Sequence, residues 1–108
     1  MKHLISLLNL STDDVHAILA KAHELKAGWK RGERPPLMLG RFLTQVFEKP
    51  SLRTRVSFDA AVTQLGGAGV FLSGTDAGLN GRESLADVAR VISGYSDVVV
   101  LRTFSQKL

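Results

Sequence analysis

Phe42-Leu43-Thr44-Gln45-Val46-Phe47-Glu48-Lys49-Pro50-Ser51-Leu52-Arg53-Thr54-Arg55 passes from β-favouring apolar residues to a helix start with almost no loop between them. Within residues 38–47, Phe42, Leu43, Thr44, Val46 and Phe47 read as a buried strand. Pro50 stops the strand, and Ser51 is a good helix cap. Val56, Ala60, Val62 and Leu65 then mark one apolar helix face, ending at Gly66-Gly67. Downstream the same logic recurs. Residues 68–72 are short and apolar, like another strand, and residues 73–82 form a glycine-rich loop without periodicity. Leu85, Val88, Ala89 and Ile92 line one face of a helix closed by Gly94, and residues 97–103 read as a strand buried on both sides. Strands alternating with helices predict an α/β fold with a mostly parallel sheet and right-handed crossovers.

Upstream, Val15, Ile18, Leu19, Ala22 and Leu25 have the three- and four-residue spacing of one buried helix face. Ser11 and Asp14 form a capping-box pattern at its start, Asp13 and Asp14 suit the positive helix end, and Gly28 closes it. Length and composition bound the rest. With 108 residues and 44% hydrophobic content, the chain fits one small globular domain or a piece of a larger one. The absence of cysteine excludes disulfides and thiolate metal sites, and three scattered histidines lack ligand spacing, so His16 and His23 read as surface residues and no metal is expected. Asn9, Ser11, Asp13 and Asp14 interrupt the apolar amino terminus before it reaches the length of a signal peptide or membrane span. A soluble, untargeted protein is the expectation. The net charge of +4 raises nucleic acid as a partner, but the one dense basic stretch, Lys26, Lys30, Arg31 and Arg34, lies around Gly28, Gly32, Pro35 and Pro36 and reads as a solvated connector.

The chemistry concentrates where the strand ending at Phe47 meets the helix beginning near Ser51. Free N–H groups at a helix start and the positive end of its dipole suit a phosphate or carboxylate. Ser51 and Thr54 add hydroxyls, and Arg53 adds a planar fork matching two phosphate oxygens. Arg55, two residues on, cannot share Arg53's direction on a helix and is assigned to support, bracing the loop through a carboxylate. The carboxyl end of a parallel strand is also where open α/β sheets bind ligands.

Residues 47–58 closely resemble the carbamoyl-phosphate motif of the carbamoyltransferases, Phe-x-Lys-x-Ser-Thr-Arg-Thr-Arg in the ornithine branch. The resemblance extends from the first helix through Gln64-Leu65-Gly66-Gly67 and residues 81–91 to Val100-Leu101-Arg102-Thr103-Phe104. Lys49, two places before Ser51, looks like the ornithine branch. The resemblance implies a three-layer sandwich in which residues 1–108 form part of the carbamoyl-phosphate-binding domain, with the amino-acid-binding domain absent. Ser51, Leu52 through its backbone, Arg53 and Thr54 would hold the phosphate group, and Arg102 would reach carbamoyl phosphate from the opposite side. Arg53 and Arg102 would be the catalytic residues. The implied reaction is carbamoyl transfer to ornithine in arginine biosynthesis, without a cofactor, by a cytoplasmic homotrimer that binds neither nucleic acid nor membrane.

Two departures from the family pattern stand out. Leu52 replaces the usual threonine, removing a hydroxyl while keeping the N–H, so weaker or rearranged binding is expected rather than loss. The slot of the Gln or His that contacts carbamoyl phosphate in a neighbouring subunit is taken by Gly78, with Asn80 nearby. Other readings are a non-catalytic phosphate-binding or oligomerisation module, a carbamoyltransferase acting on aspartate, putrescine or acetylornithine, and a basic nucleic-acid binder.

Overall fold

The computed structural model describes residues 3–78 and 84–103, so Asn80, the 81–83 part of the second motif and Phe104 lie outside the described residues. The chain divides into two compact units, residues 1–34 and 35–108.

The first unit holds a short 3-10 turn, Leu7–Asn9, and helix α1, Thr12–Lys30. The capping box is present: Ser11 Oγ accepts from Asp14 N at 3.0 Å, and Asp14 Oδ2 accepts from Ser11 N at 3.1 Å. Gly28 does not close the helix. The stop lies further on, where Gly32 takes φ +89°, its N–H reaches Trp29 O at 3.0 Å, and Glu33 N reaches Gly28 O at 2.9 Å. These are the paired bonds of a Schellman ending, and they need a left-handed residue that glycine supplies without Cβ strain. The apolar stripe also differs from expectation, because Val15, Ile18 and Leu19 are exposed and Leu25 is partly buried. Helical spacing collects apolar residues on one side, and among the described residues of this unit α1 has only the short turn Leu7–Asn9 as another element.

In the second unit, β1 (Phe42–Phe47) lies between β2 (Ala68–Ser73) and β3 (Val98–Arg102), and both pairings are parallel. Helix α2 (Leu52–Gln64) connects β1 to β2, and α3 (Leu85–Tyr95) precedes β3. Successive strand residues project to opposite faces, which locates the helices. Gln45 Nε2 bonds Asp59 of α2, whereas Val46 packs in a cluster with Val88 and Ile92 of α3, Leu72 and Ala77. The two helices therefore cover opposite faces, giving the three layers expected of the α/β fold. Helix α2 ends with the same pair of bonds as α1, Gly66 N to Thr63 O and Gly67 N to Val62 O, about Gly66 at φ +87°.

Burial follows strand position. Leu43, Thr44, Gln45, Val46 and Phe47 are all buried, as the middle strand of three must be. The reading of β3 as buried on both sides is corrected: Val98, Val99 and Leu101 are each about two-fifths exposed, because β3 is an edge among the described residues. Helix α3 runs past Gly94 to Tyr95 and is capped at Ser96, so Gly94 does not end it either.

Candidate anion-binding site

At the carboxyl end of the sheet the backbone ladder continues one step past β1. Glu48 N donates to Arg102 O at 2.8 Å, and Gly74 N donates to Phe47 O at 2.9 Å. The three strand ends are thus tied together just before α2 begins. Ser51 occupies the N-cap position with extended backbone, but its side chain makes no capping bond. Its Oγ instead donates to Thr54 Oγ1 at 2.8 Å. The first bond of the helix is Arg55 N to Ser51 O, 3.0 Å, so the N–H groups of Leu52, Arg53 and Thr54 precede the intrahelical ladder. That turn offers three aligned N–H donors, a positive dipole end and the Thr54 hydroxyl, whose hydrogen stays available while that of Ser51 is directed at Thr54, a donor set suited to the oxygens of an anion.

The two arginines of the turn differ as the sequence suggests. Arg53 is exposed and forms no salt bridge among the described residues. Arg55 is committed to the protein: its Nε lies 3.7 Å from Asp59 Oδ2 one turn on, and its guanidinium lies 3.7 Å over the Phe71 ring. It braces α2 against β2 rather than a loop. The Leu52 side chain is 78% exposed, so the residue that replaces threonine contributes its N–H and no packing.

Arg102 ends β3 in register with Phe47. Residues paired across neighbouring strands share a face, and Phe47, two residues from Gln45, faces α2. Arg102 therefore lies on the face and at the end of the sheet where α2 starts. Its Nε is buried and has no hydrogen-bond partner among the described residues. Ser51, Leu52, Arg53 and Thr54 share one helical turn, and Arg102 stands one strand away. Gly78 closes a turn with its N–H on Thr75 O at 3.0 Å and φ +82°.

One arrangement was not anticipated from the sequence: Gln45, Asp59, Arg55 and Phe71 connect beneath the turn. The signal for it was the primary amide, Gln45, inside a strand that is otherwise apolar except for Thr44. The basic stretch is partly consumed internally. Arg31 Nε bonds Glu33 at 2.6 Å, which holds the Glu33 carboxyl below its ordinary value, and Arg34 stacks on Trp29 while donating to Trp29 O and Glu33 O. Among the described residues no cluster of three or more His, Cys, Asp or Glu could hold a metal, and no helix is long and apolar enough to cross a membrane.

Residues 2–108 match the family described as aspartate/ornithine carbamoyltransferase, carbamoyl-P binding domain. The chain belongs to the aspartate/ornithine carbamoyltransferase family. It is 48% identical over 103 residues to an ornithine carbamoyltransferase of Wolinella succinogenes, covering 95% of this chain and 34% of that protein. The solved structure of an ornithine carbamoyltransferase from Pyrococcus furiosus superposes with TM-score 0.94 at 37% identity, over 98% of this chain and 34% of the other. The catalytic subunit of M. jannaschii aspartate transcarbamoylase superposes with TM-score 0.87 at 38% identity, over 97% of this chain and 35% of the other. The chain thus spans about a third of the length of the family members it matches.

Proposed function

We propose that residues 51–54 and Arg102 bind carbamoyl phosphate, and that the chain supplies this half of the active site in an ornithine carbamoyltransferase. The observation that carries the reading is the first turn of α2, without a side-chain cap and with Arg53 in no salt bridge among the described residues, in a chain whose family is defined by a carbamoyl-phosphate-binding domain. The ornithine assignment is supported by the names of the curated relatives at 48% and 45% identity. The likeness to aspartate transcarbamoylase keeps aspartate as the second reading, since this part of the fold is shared between the two.

In the proposed reaction the δ-amine of ornithine attacks the carbonyl carbon of carbamoyl phosphate. A C–N bond forms, the C–O bond to phosphate breaks, and the amine loses a proton, giving citrulline and phosphate. The N–H groups of residues 52–54, the Arg53 fork and Arg102 on the neighbouring strand would together take up charge on the departing phosphate and the carbonyl oxygen. Rate acceleration would come from holding the two substrates in line and from these preorganised donors. On this reading the protein is a cytoplasmic homotrimer of arginine biosynthesis, an extension that rests on the family resemblance and is tested by light scattering.

The direct test is calorimetric titration of the chain with inorganic phosphate and with carbamoyl phosphate, wild type against Arg53→Ala. Removing a charge-assisted contact should weaken binding by about ten- to a hundred-fold. Equal affinity in the two proteins would contradict the assignment of Arg53.

A further inference from the structure

Gln45 is wholly buried at the centre of β1, with 0% of its surface exposed. A primary amide is costly to bury unless its donors and acceptor find partners. Here Nε2 donates to Asp59 Oδ1 at 2.7 Å, while Oε1 has no partner among the described residues. The other Asp59 oxygen lies 3.7 Å from Arg55 Nε, Arg55 covers the Phe71 ring, and Phe71 meets Phe47 edge to face at 5.1 Å. A continuous strut thus runs from the middle strand, across α2, to the neighbouring strand.

Its members are unequal. The Arg55–Asp59 pair is half-exposed on both sides and loosely spaced, and such pairs contribute little by themselves. The short bond from the buried amide is what fixes the Asp59 carboxylate, and Asp59 in turn orients Arg55. Arg55 also provides the first N–H of the α2 ladder, on Ser51 O. Whatever holds Arg55 therefore holds the turn whose N–H groups, those of residues 52–54, lie immediately before the ladder.

We propose that Gln45 is a positioning residue: through Asp59 and Arg55 it orders the first turn of α2, so that the N–H groups of residues 52–54 and the Arg53 side chain are preorganised for an anion. The inference rests on the reading of that turn as the phosphate site. Such a role separates from simple stability, because Gln45→Met removes the unpartnered carbonyl together with the anchor and keeps the side-chain volume.

The test compares wild type, Gln45→Met and Asp59→Asn by three readouts: thermal midpoint, affinity for inorganic phosphate, and amide hydrogen exchange at Arg55. For Gln45→Met the expected result is an unchanged or higher midpoint, phosphate affinity about five-fold weaker, and Arg55 protection lowered by a similar factor, the loss of one ordinary hydrogen bond. Exchange in β1 stays as in wild type. Asp59→Asn, at a half-exposed position, lowers Arg55 protection without unfolding the chain and serves if the methionine variant does not fold. Unchanged Arg55 protection in either folded variant overturns the strut. A parallel fall in midpoint and affinity overturns the positioning role in favour of a structural one. Failure of wild type to bind phosphate breaks the anion-site reading instead, and the Arg55 exchange still decides whether Gln45 orders the turn.

Discussion

Helices α1 and α2 both begin at a serine, and the two serines do opposite things. Ser11 closes its helix: its hydroxyl accepts an N–H of the first turn, and Asp14 reaches back to the cap. Ser84 treats α3 similarly, accepting from Asp87 N at 3.2 Å. Ser51 turns its hydroxyl to Thr54 Oγ1 and leaves the first-turn donors uncapped by its side chain. The same residue type at the same helix position is thus a structural plug in one place and part of an open donor set in another. The two ends of β1 repeat the contrast. At its start, Phe42 N is closed by Asp97 Oδ2 at 2.8 Å, and Arg41 pairs with Asp97 at 3.2 Å. At its finish stand the open turn of α2 and Arg102, whose Nε is buried without a partner among the described residues. Donors that a protein does not satisfy internally, gathered at the carboxyl end of a parallel sheet, are what a bound anion can satisfy.

The largest effect expected from this contrast is at Arg102. Arg102→Met removes a buried nitrogen that has no partner among the described residues, so phosphate affinity should fall on the order of ten-fold or more, with stability held or raised. Titration calorimetry and thermal melting check the two halves, and a destabilised variant with normal binding would break the comparison. The two serines offer a sharper version. Ser11→Ala should cost about 1 kcal/mol in urea unfolding and leave phosphate binding alone, as expected for a lost cap. Ser51→Ala should reverse the pattern, with little loss of stability and weaker phosphate binding. Equal stability losses in the two variants would show that Ser51 caps α2 after all.

The smallest effect belongs to the closed end of the sheet. The Asp97 carboxyl is held below its ordinary value of 3.8, first by the Phe42 N–H and then by Arg41. A value lower in the folded than in the unfolded state stabilises the fold above the ordinary value, and that contribution is lost as pH falls through the folded one. Asp97→Asn should therefore be less stable than wild type at neutral pH and converge on it below about pH 4, in unfolding curves collected across that range.

The β1–α2 junction was readable because several local rules agree there. An apolar β-favouring run, a proline and a serine followed by helical spacing leave one arrangement, and the site follows from the free donors of the helix start. What escaped depends on neighbours or on one torsion angle. Val98, Val99, Val100 and Leu101 are apolar whether they form a central or an edge strand, and only the strand order makes them an edge. Two glycines stand near the end of α1, and the one that stops it is the one at positive φ, Gly32 rather than Gly28. A serine at an N-cap announces the helix but not where its hydroxyl turns. Gln45 escaped because the pair Thr44-Gln45 barely alters an apolar, β-favouring run, although its burial makes it the polar anchor beneath the site.

The most direct test of the open turn as an anion site is amide shift mapping of the isotope-labelled chain during titration with inorganic phosphate. The account predicts that the N–H signals of Leu52, Arg53 and Thr54 move together with the Arg102 Nε–H signal, along one saturable curve, while the capped first turn of α1 at Asp13 and Asp14 stays still. Shifts of similar size at both helix starts, or none at residues 52–54, would contradict it.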